Sequence, residues 1–425
     1  MSMPWYGELP KRWKSKKISE LFVERQTKVS DVDFAPLSVS KGGIVPQIAT
    51  VAKSNAGDNR KLVQQGDFVI NSRSDRRGSS GISQYDGSVS LINIVLEPRR
   101  EESGRFYHYL LRSHPFIEEY YRNGRGIVAD LWTTRYSEMK TIYLPLPPRD
   151  EQDQIVRYLD WKVSRINKLI NAKRRQIALL QEQKRAVINE AVTRGSDGWC
   201  QFRIKAAAQI LRGKFSHRPR NDPAFYDGNY PFIQTGDVAR AGKYIREYKQ
   251  TLNESGFAVS KQFPKGTLTM TIAANIGDVA ILDFDACFPD SIIGFIPHKG
   301  IDLEYLYYAL FRMKADFVKE APVNTQGNLN IERVGAMTIC IPNIEKQREV
   351  VHEIENSAVK MDKLISKFNG EIALFTEYRT RLISDAVTGK LDVRGVTVPE
   401  YEIVEDVVED ETKLPDCEDT MEESE

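Results

Sequence analysis

The chain has 425 residues, 41% hydrophobic and 28% charged, which is enough for two to four ordinary folded domains. Its 60 bases and 59 acids nearly cancel but are segregated: residues 400–425 carry thirteen acids and one base, leaving 59 bases against 46 acids in residues 1–399. A basic body suits a polyanionic partner, while the lack of a long apolar run or a C-x-x-C pair disfavours membrane, zinc and disulfide classes. The polar stretch Met1–Lys17, with Trp5 and Trp13, is not expected to be a signal peptide. Cys200, Cys287, Cys340 and Cys417 lie far apart, which fits a reducing cytoplasm.

In chain order, the first elements are short, β-rich and punctuated by glycine. Trp13 leads to Ile18. A turn at Gly66-Asp67 opens the strand-like run Phe68-Val69-Ile70. Residues 91–98 form a second such run, and an aromatic helix follows from Phe106 to Arg112. Residues 141–145 then run as a strand into proline. The same order returns later: Trp199 to Ile204, Gly266 into residues 267–270, residues 291–297, an aromatic helix from Tyr305 to Arg312, and Thr338 into Pro342.

Between and after these blocks lie two helix-forming segments that repeat each other. With Pro147 aligned to Pro342, Gln152 meets Gln347 without a gap. Lys168-Leu169-Ile170 meets Lys363-Leu364-Ile365, Ile177-Ala178-Leu179 meets Ile372-Ala373-Leu374, and Ala191-Val192-Thr193 meets Ala386-Val387-Thr388. Three identical tripeptides in one register indicate an internal duplication. Each segment carries a heptad seam broken by a few bases: Leu159, Ile166, Ile170, Ile177 and Leu180 in the first, Ile354, Met361, Ile365, Ile372 and Phe375 in the second. Asp150 and Asn343 are placed to cap the starts, and Gly195 and Gly389 to stop the ends. Two separate amphipathic helices would also show apolar stripes, but a seam five heptads long is long for one globular face. The first helix ends where the second block begins, and that block feeds the second helix. The two helices can therefore pair only antiparallel.

No phosphate-binding loop, dinucleotide fingerprint, H-E-x-x-H or G-x-S-x-G is present, nor the Asn/Asp-Pro-Pro-aromatic signature of an adenine methyltransferase. Asp290 lacks the following Glu/Asp-x-Lys of a nuclease and reads as a turn residue. His217 and His298 stand alone. The loops instead hold residue types that meet nucleic acid. Arg73, Arg76 and Arg77 fall in one polar loop, and Arg125 and Arg135 flank Trp132. Lys214, Arg218 and Arg220 form a basic loop in the second block, where Asn275 and Asn328 occupy loops comparable to those of the first. A solvated charged loop would look the same at any single position; the clustering and the basic body favour DNA. Two readers on a helical spacer imply two half-sites at a fixed separation.

At this point the chain resembles the specificity subunits of type I restriction–modification enzymes. The resemblance rests on the proline-led helices from Pro145 through Gly195 and from Ile341 through Leu391, on the Trp13 and Trp199 domain starts, and on the run from Gly66 to Ile70. It covers residues 5–395. It implies an α+β architecture: target-recognition domain 1 (1–148), a central long helix (149–195), target-recognition domain 2 (196–342), a C-terminal long helix (343–391) and a tail. The two similar mixed α/β domains are separated by an antiparallel coiled coil with a pseudo-twofold repeat. The resemblance also implies a non-catalytic chain that binds no cofactor or metal itself. Its partners would be double-stranded DNA with a bipartite target, two adenine methyltransferase subunits carrying S-adenosylmethionine, and motor–nuclease subunits using ATP and magnesium. The acidic tail, 392–425, departs from the pattern and is expected to be disordered. The rival readings are an enzyme with unusual motifs and a coiled-coil scaffold without DNA readout.

Overall fold

The structure is a computed structural model and describes residues 4–47, 59–99, 104–126, 132–194, 198–217, 220–273, 275–321 and 329–406. It divides into two compact units, residues 1–175 with 368–425, and residues 176–367. Two helices, Arg149–Thr193 and Ile344–Val387, run through both. At about 1.5 Å per residue each is more than 60 Å long.

In the first unit, strand Lys14–Lys17 pairs antiparallel with Tyr143–Leu146, just before the central helix. The main sheet has the order Phe22–Glu24, Asn93–Pro98, Phe68–Asn71, Ser80–Ile82. Phe68, Val69 and Ile70 are all buried because helices cover one face of the sheet and a smaller β layer covers the other. That layer has the order Lys28–Val29, Arg60–Val63, Gly87–Val89, beside the hairpin of Leu37–Ser40 and Gly43–Pro46. The aromatic helix Gly104–Leu111 buries Phe106, Tyr107, Leu110 and Leu111.

The second unit repeats the plan. Cys200–Arg203 pairs with Thr338–Ile341 before the C-terminal helix. Its main sheet has the order Ala208–Arg212, Ile292–Pro297, Leu268–Thr271, Val279–Leu282, Tyr244–Ile245. The first four strands match the four of the first unit in order and direction of pairing. The turn glycines correspond as well. Gly66 (φ +94) and Gly266 (φ +84) both take the left-handed backbone that side chains disfavour, and each donates its N–H across the sheet, to Ser83 O and to Leu282 O. A second sheet (Tyr226–Phe232, Gln250–Leu252, Gln262–Phe263, Ala286–Cys287) has no equivalent in order among the described residues of the first unit.

The long helices complete both cores. Ile155, Val156 and Leu159 join Leu382, Ala386 and Val387 in the first; Ile188, Ala191 and Val192 join Val350, Val351 and Ile354 in the second. The helices run antiparallel in each unit. Lys173 Nζ lies 2.8 Å from Glu371 and Arg379 Nη1 2.6 Å from Asn167 in the first; Lys184 Nζ lies 2.8 Å from Asp362 and Arg194 Nη1 3.3 Å from Glu353 in the second. The seam residues Leu159, Ile166, Ile170 and Ile354 are buried, and Ile177, Leu180, Met361, Ile365, Ile372 and Phe375 are half-buried. The bases that interrupt the seam all meet partners. Lys173, for instance, also sits 4.2 Å from the centre of the Phe368 ring.

Two expectations about the helix ends are corrected. Asp150 does not cap the central helix: Glu151 and Gln152 donate their N–H groups to Pro148 O, so the helix starts one residue earlier and Asp150 sits in its first turn. A carboxylate there still faces the positive end of the helix. Asn343 does cap its helix, Oδ1 accepting from Lys346 N at 2.9 Å. Gly195 lies outside the described residues. Gly389 (φ +76) ends the C-terminal helix, with Leu391 N–H donating to Asp385 O at 3.0 Å. A Cβ there would stand 2.5 Å from Pro10 Cδ, so only glycine fits.

The larger correction concerns the tail. Residues 392–406 are ordered against the first unit's helices, and only 407–425 lie outside the described residues. Val393 is 2% exposed in the core. Gln154 Nε2 donates to Val393 O and Val396 O, Asn167 Nδ2 to Val404 O and Asn171 Nδ2 to Glu405 O. Asp406 bridges the two helices, 2.6 Å from Arg174 and 2.7 Å from Arg379. The segment is anchored by apolar residues spaced between its acids, while helix amides satisfy its backbone.

Candidate nucleic-acid interface

In the first unit the sheet determines where the arginines gather. Asn71 and Asn93 are register partners at the ends of their strands. Just past them, Ser72 donates to Ile92 O at 3.2 Å, and Thr134 donates to Ser72 O at 3.0 Å. Thr133 forms backbone bridges with both Arg73 and Arg125. Three segments thus converge at one end of the sheet and bring Arg73, Arg76, Arg77, Arg125 and Arg135 together. Trp132 Nε1 pins the return segment by donating to Tyr121 O at 2.8 Å.

These arginines are not equivalent. The side chains of Arg76 and Arg125 are 68% and 84% exposed. Arg77 is committed within the fold: its Nη2 lies 2.5 Å from Glu118, and its guanidinium sits over the Tyr121 ring at 5.3 Å. Burial pushes the Tyr121 hydroxyl up to about 12, against the pull of Gly78 and Arg77, so this ring stays neutral. Arg135 is exposed at the start of helix Tyr136–Met139, its backbone N–H donating to Glu138 at 3.1 Å. An open cleft beside the cluster is lined by Trp5, Arg77, Tyr121, Arg122 and Trp132.

In the second unit the corresponding sheet end is built with a different loop. Strand Ala208–Arg212 continues into Gly213, which donates to Ile292 O, and Lys214, which donates to Phe288 O. Asp290 does occupy a turn, and that turn organises the basic loop. Arg212 Nε donates to its backbone oxygen at 2.9 Å, and Arg220 Nη2 to its carboxylate at 2.5 Å. His217 bonds Asp222 at 3.1 Å and stacks on Phe225, which accounts for it structurally. Ile272 donates to Ser291 O, so the exposed Asn275 lies in a turn at this same end. Leu329 donates to Ile272 O as Thr134 does to Ser72 O. Arg218 and Asn328 lie outside the described residues, as do Thr325 and Gln326. Asn330 is a helix cap, Oδ1 accepting from Glu332 N at 3.0 Å. The sequence reads Asp290 only as a turn residue; what it misses is that this turn holds the basic loop through Arg212 and Arg220.

Among the described residues no group of histidines, cysteines and carboxylates could hold a metal ion, and no helix is long and apolar enough to cross a membrane. Residues 197–364 match the family model of the type I restriction modification DNA specificity domain. Over 91% of this chain and 96% of the relative, it is 18% identical to a putative type I restriction enzyme MjaX specificity subunit of Methanocaldococcus jannaschii. Residues 197–364 thus carry a type I restriction–modification specificity domain, and the relative matched along nearly the whole chain is a specificity subunit of such a system. The chain is also 22% identical, over 60% of its length and 65% of the relative, to the EcoR124I/EcoR124II specificity subunit of Escherichia coli. The fold is shared with a chain from a structural study of complex assembly and conformational transition of the type I R-M system. That match has a TM-score of 0.66 at 15% identity and covers 90% of this chain and all of the other. Specificity subunits are non-catalytic recognition components of type I systems.

Proposed function

We propose that this specificity subunit reads a bipartite DNA target, each recognition domain taking one half. The paired helices set the gap and dock two adenine methyltransferase subunits. S-adenosylmethionine is bound by those partners. Motor–nuclease subunits using ATP and magnesium complete the assembly in the cytoplasm. The duplication carries this reading: two domains of the same strand order gather basic and amide side chains at the same sheet end. Each domain core is finished by the start of one long helix and the end of the other. Arginine and asparagine are the side chains best matched to guanine and adenine edges in the major groove.

The test is methylome sequencing of a strain that expresses this chain with a cognate methyltransferase. One new methylated motif is expected, in two specified halves around a fixed unspecified gap. A continuous motif, or none from a complex shown to be assembled, overturns the reading.

A further inference from the structure

The aromatic helices of the two repeats superpose in sequence at a shift of 199. Phe106, Tyr107, Leu110 and Leu111 correspond to Tyr305, Leu306, Ala309 and Leu310, all buried. The long helices correspond at a shift of 195, so Asp160 and Glu355 are equivalent. In the first repeat Asp160 is 5% exposed, and two residues of the aromatic helix reach it: Arg105 Nη2 at 2.9 Å and the Tyr109 hydroxyl at 2.8 Å. In the second repeat Tyr308 stands where Tyr109 does, but Glu304 stands where Arg105 does. Two carboxylates, Glu304 and Glu355, would then face each other. Lys243, from the loop before strand Tyr244–Ile245, resolves this: its ammonium pairs with Glu304 at 2.9 Å and with Glu355, and sits 5.1 Å from the centre of the Tyr308 ring. Tyr244 donates a further hydrogen bond to Glu304. One junction is thus built twice at the same register with different chemistry.

We propose that Asp160 and Glu355 are positioning residues that fix how each recognition domain is seated on its helix, and so determine the permitted gap between half-sites without touching DNA. This rests on the bipartite reading above. Around Asp160, burial raises the carboxyl above its ordinary range although Tyr109 and Arg105 draw it down.

The experiment uses the assembled methyltransferase and a library holding the wild-type half-sites fixed while the gap is varied by one base pair each way. The wild-type complex, run alongside, tests the bipartite reading by itself. For Asp160→Asn and Glu355→Gln, discrimination against the altered gaps should fall about tenfold, the equivalent of one relaxed contact, with half-site bases unchanged. Arg105→Lys should retain the wild-type gap better than Arg105→Ala. Arg105 is 61% exposed at its side chain, so its variants report even if Asp160→Asn does not fold. If the wild type shows a fixed gap and all folded variants keep it undiminished, or if they change half-site bases instead, the positioning role is wrong.

Discussion

Arg76 and Arg125 offer the cleanest test of the proposed recognition surface, because the side chain of each projects into solvent. Replacing either with alanine should cost about 1–3 kcal/mol of DNA binding and relax one position of the first half-site. Competition binding by the assembled complex with single-base variants checks this; unchanged affinity and unchanged preference for both variants would remove them from the interface. Arg77 is a poorer probe, since Arg77→Ala also breaks its pair with Glu118 and its contact with Tyr121. Residue type and loop position were enough to nominate these arginines, because charge in a polar loop is visible in composition. They could not distinguish Arg77 from Arg76, because that difference depends on Glu118 and Tyr121, on a helix more than forty residues away. The role of Asp290 in holding Arg212 and Arg220 is hidden for a similar reason: an ion-paired turn looks like any turn until Arg220 is seen against it.

Among the elements, the long helices were legible because a heptad seam is a local pattern and the identical tripeptides gave the register. The strand order of the main sheets was not, since pairing Phe22–Glu24 with Asn93–Pro98 joins segments some seventy residues apart. The segment 392–406 was misread because its charge run concealed a second pattern, Val393, Val396, Val398 and Val404 spaced between the acids. Its clasp gives a pH prediction. Burial alone would raise the Asp406 carboxyl, but hydrogen bonds from Arg379 and Arg174 outweigh that and hold it below its ordinary value. A depressed carboxyl stabilises the folded segment above its unfolded pKa, near 3.9, and loses that contribution as pH falls through its folded value. The protection factors of amides in 400–406, taken against the intrinsic exchange rate at each pH, should therefore stay high at neutral pH and fall in acid. Asp406→Asn should exchange faster already at neutral pH, by about 1–3 kcal/mol of local stability. Equal protection in the two chains at neutral pH would show that the clasp contributes nothing.

For the whole molecule, a spacer that sets the gap makes a geometric prediction. Deleting one heptad from each helix, residues 170–176 and 365–371, keeps the seam in phase and removes about 10 Å, or about three base pairs. The methylated motif should keep both halves and lose that much gap. A gap of unchanged length in an active deletion complex would show that the helices are not the ruler.

The first unit is assembled from both ends of the chain, whereas the second, 176–367, is continuous. On the ribosome the two therefore cannot mature in the order in which they are made. The N-terminal domain emerges first, yet the surface that Leu382, Ala386, Val387 and Val393 will cover stays bare until those residues have been made. The second domain, made later, can finish earlier. A nascent chain of this kind holds an unfinished apolar face while the whole second domain is being made, the state in which chaperones engage growing polypeptides and stalled fragments aggregate.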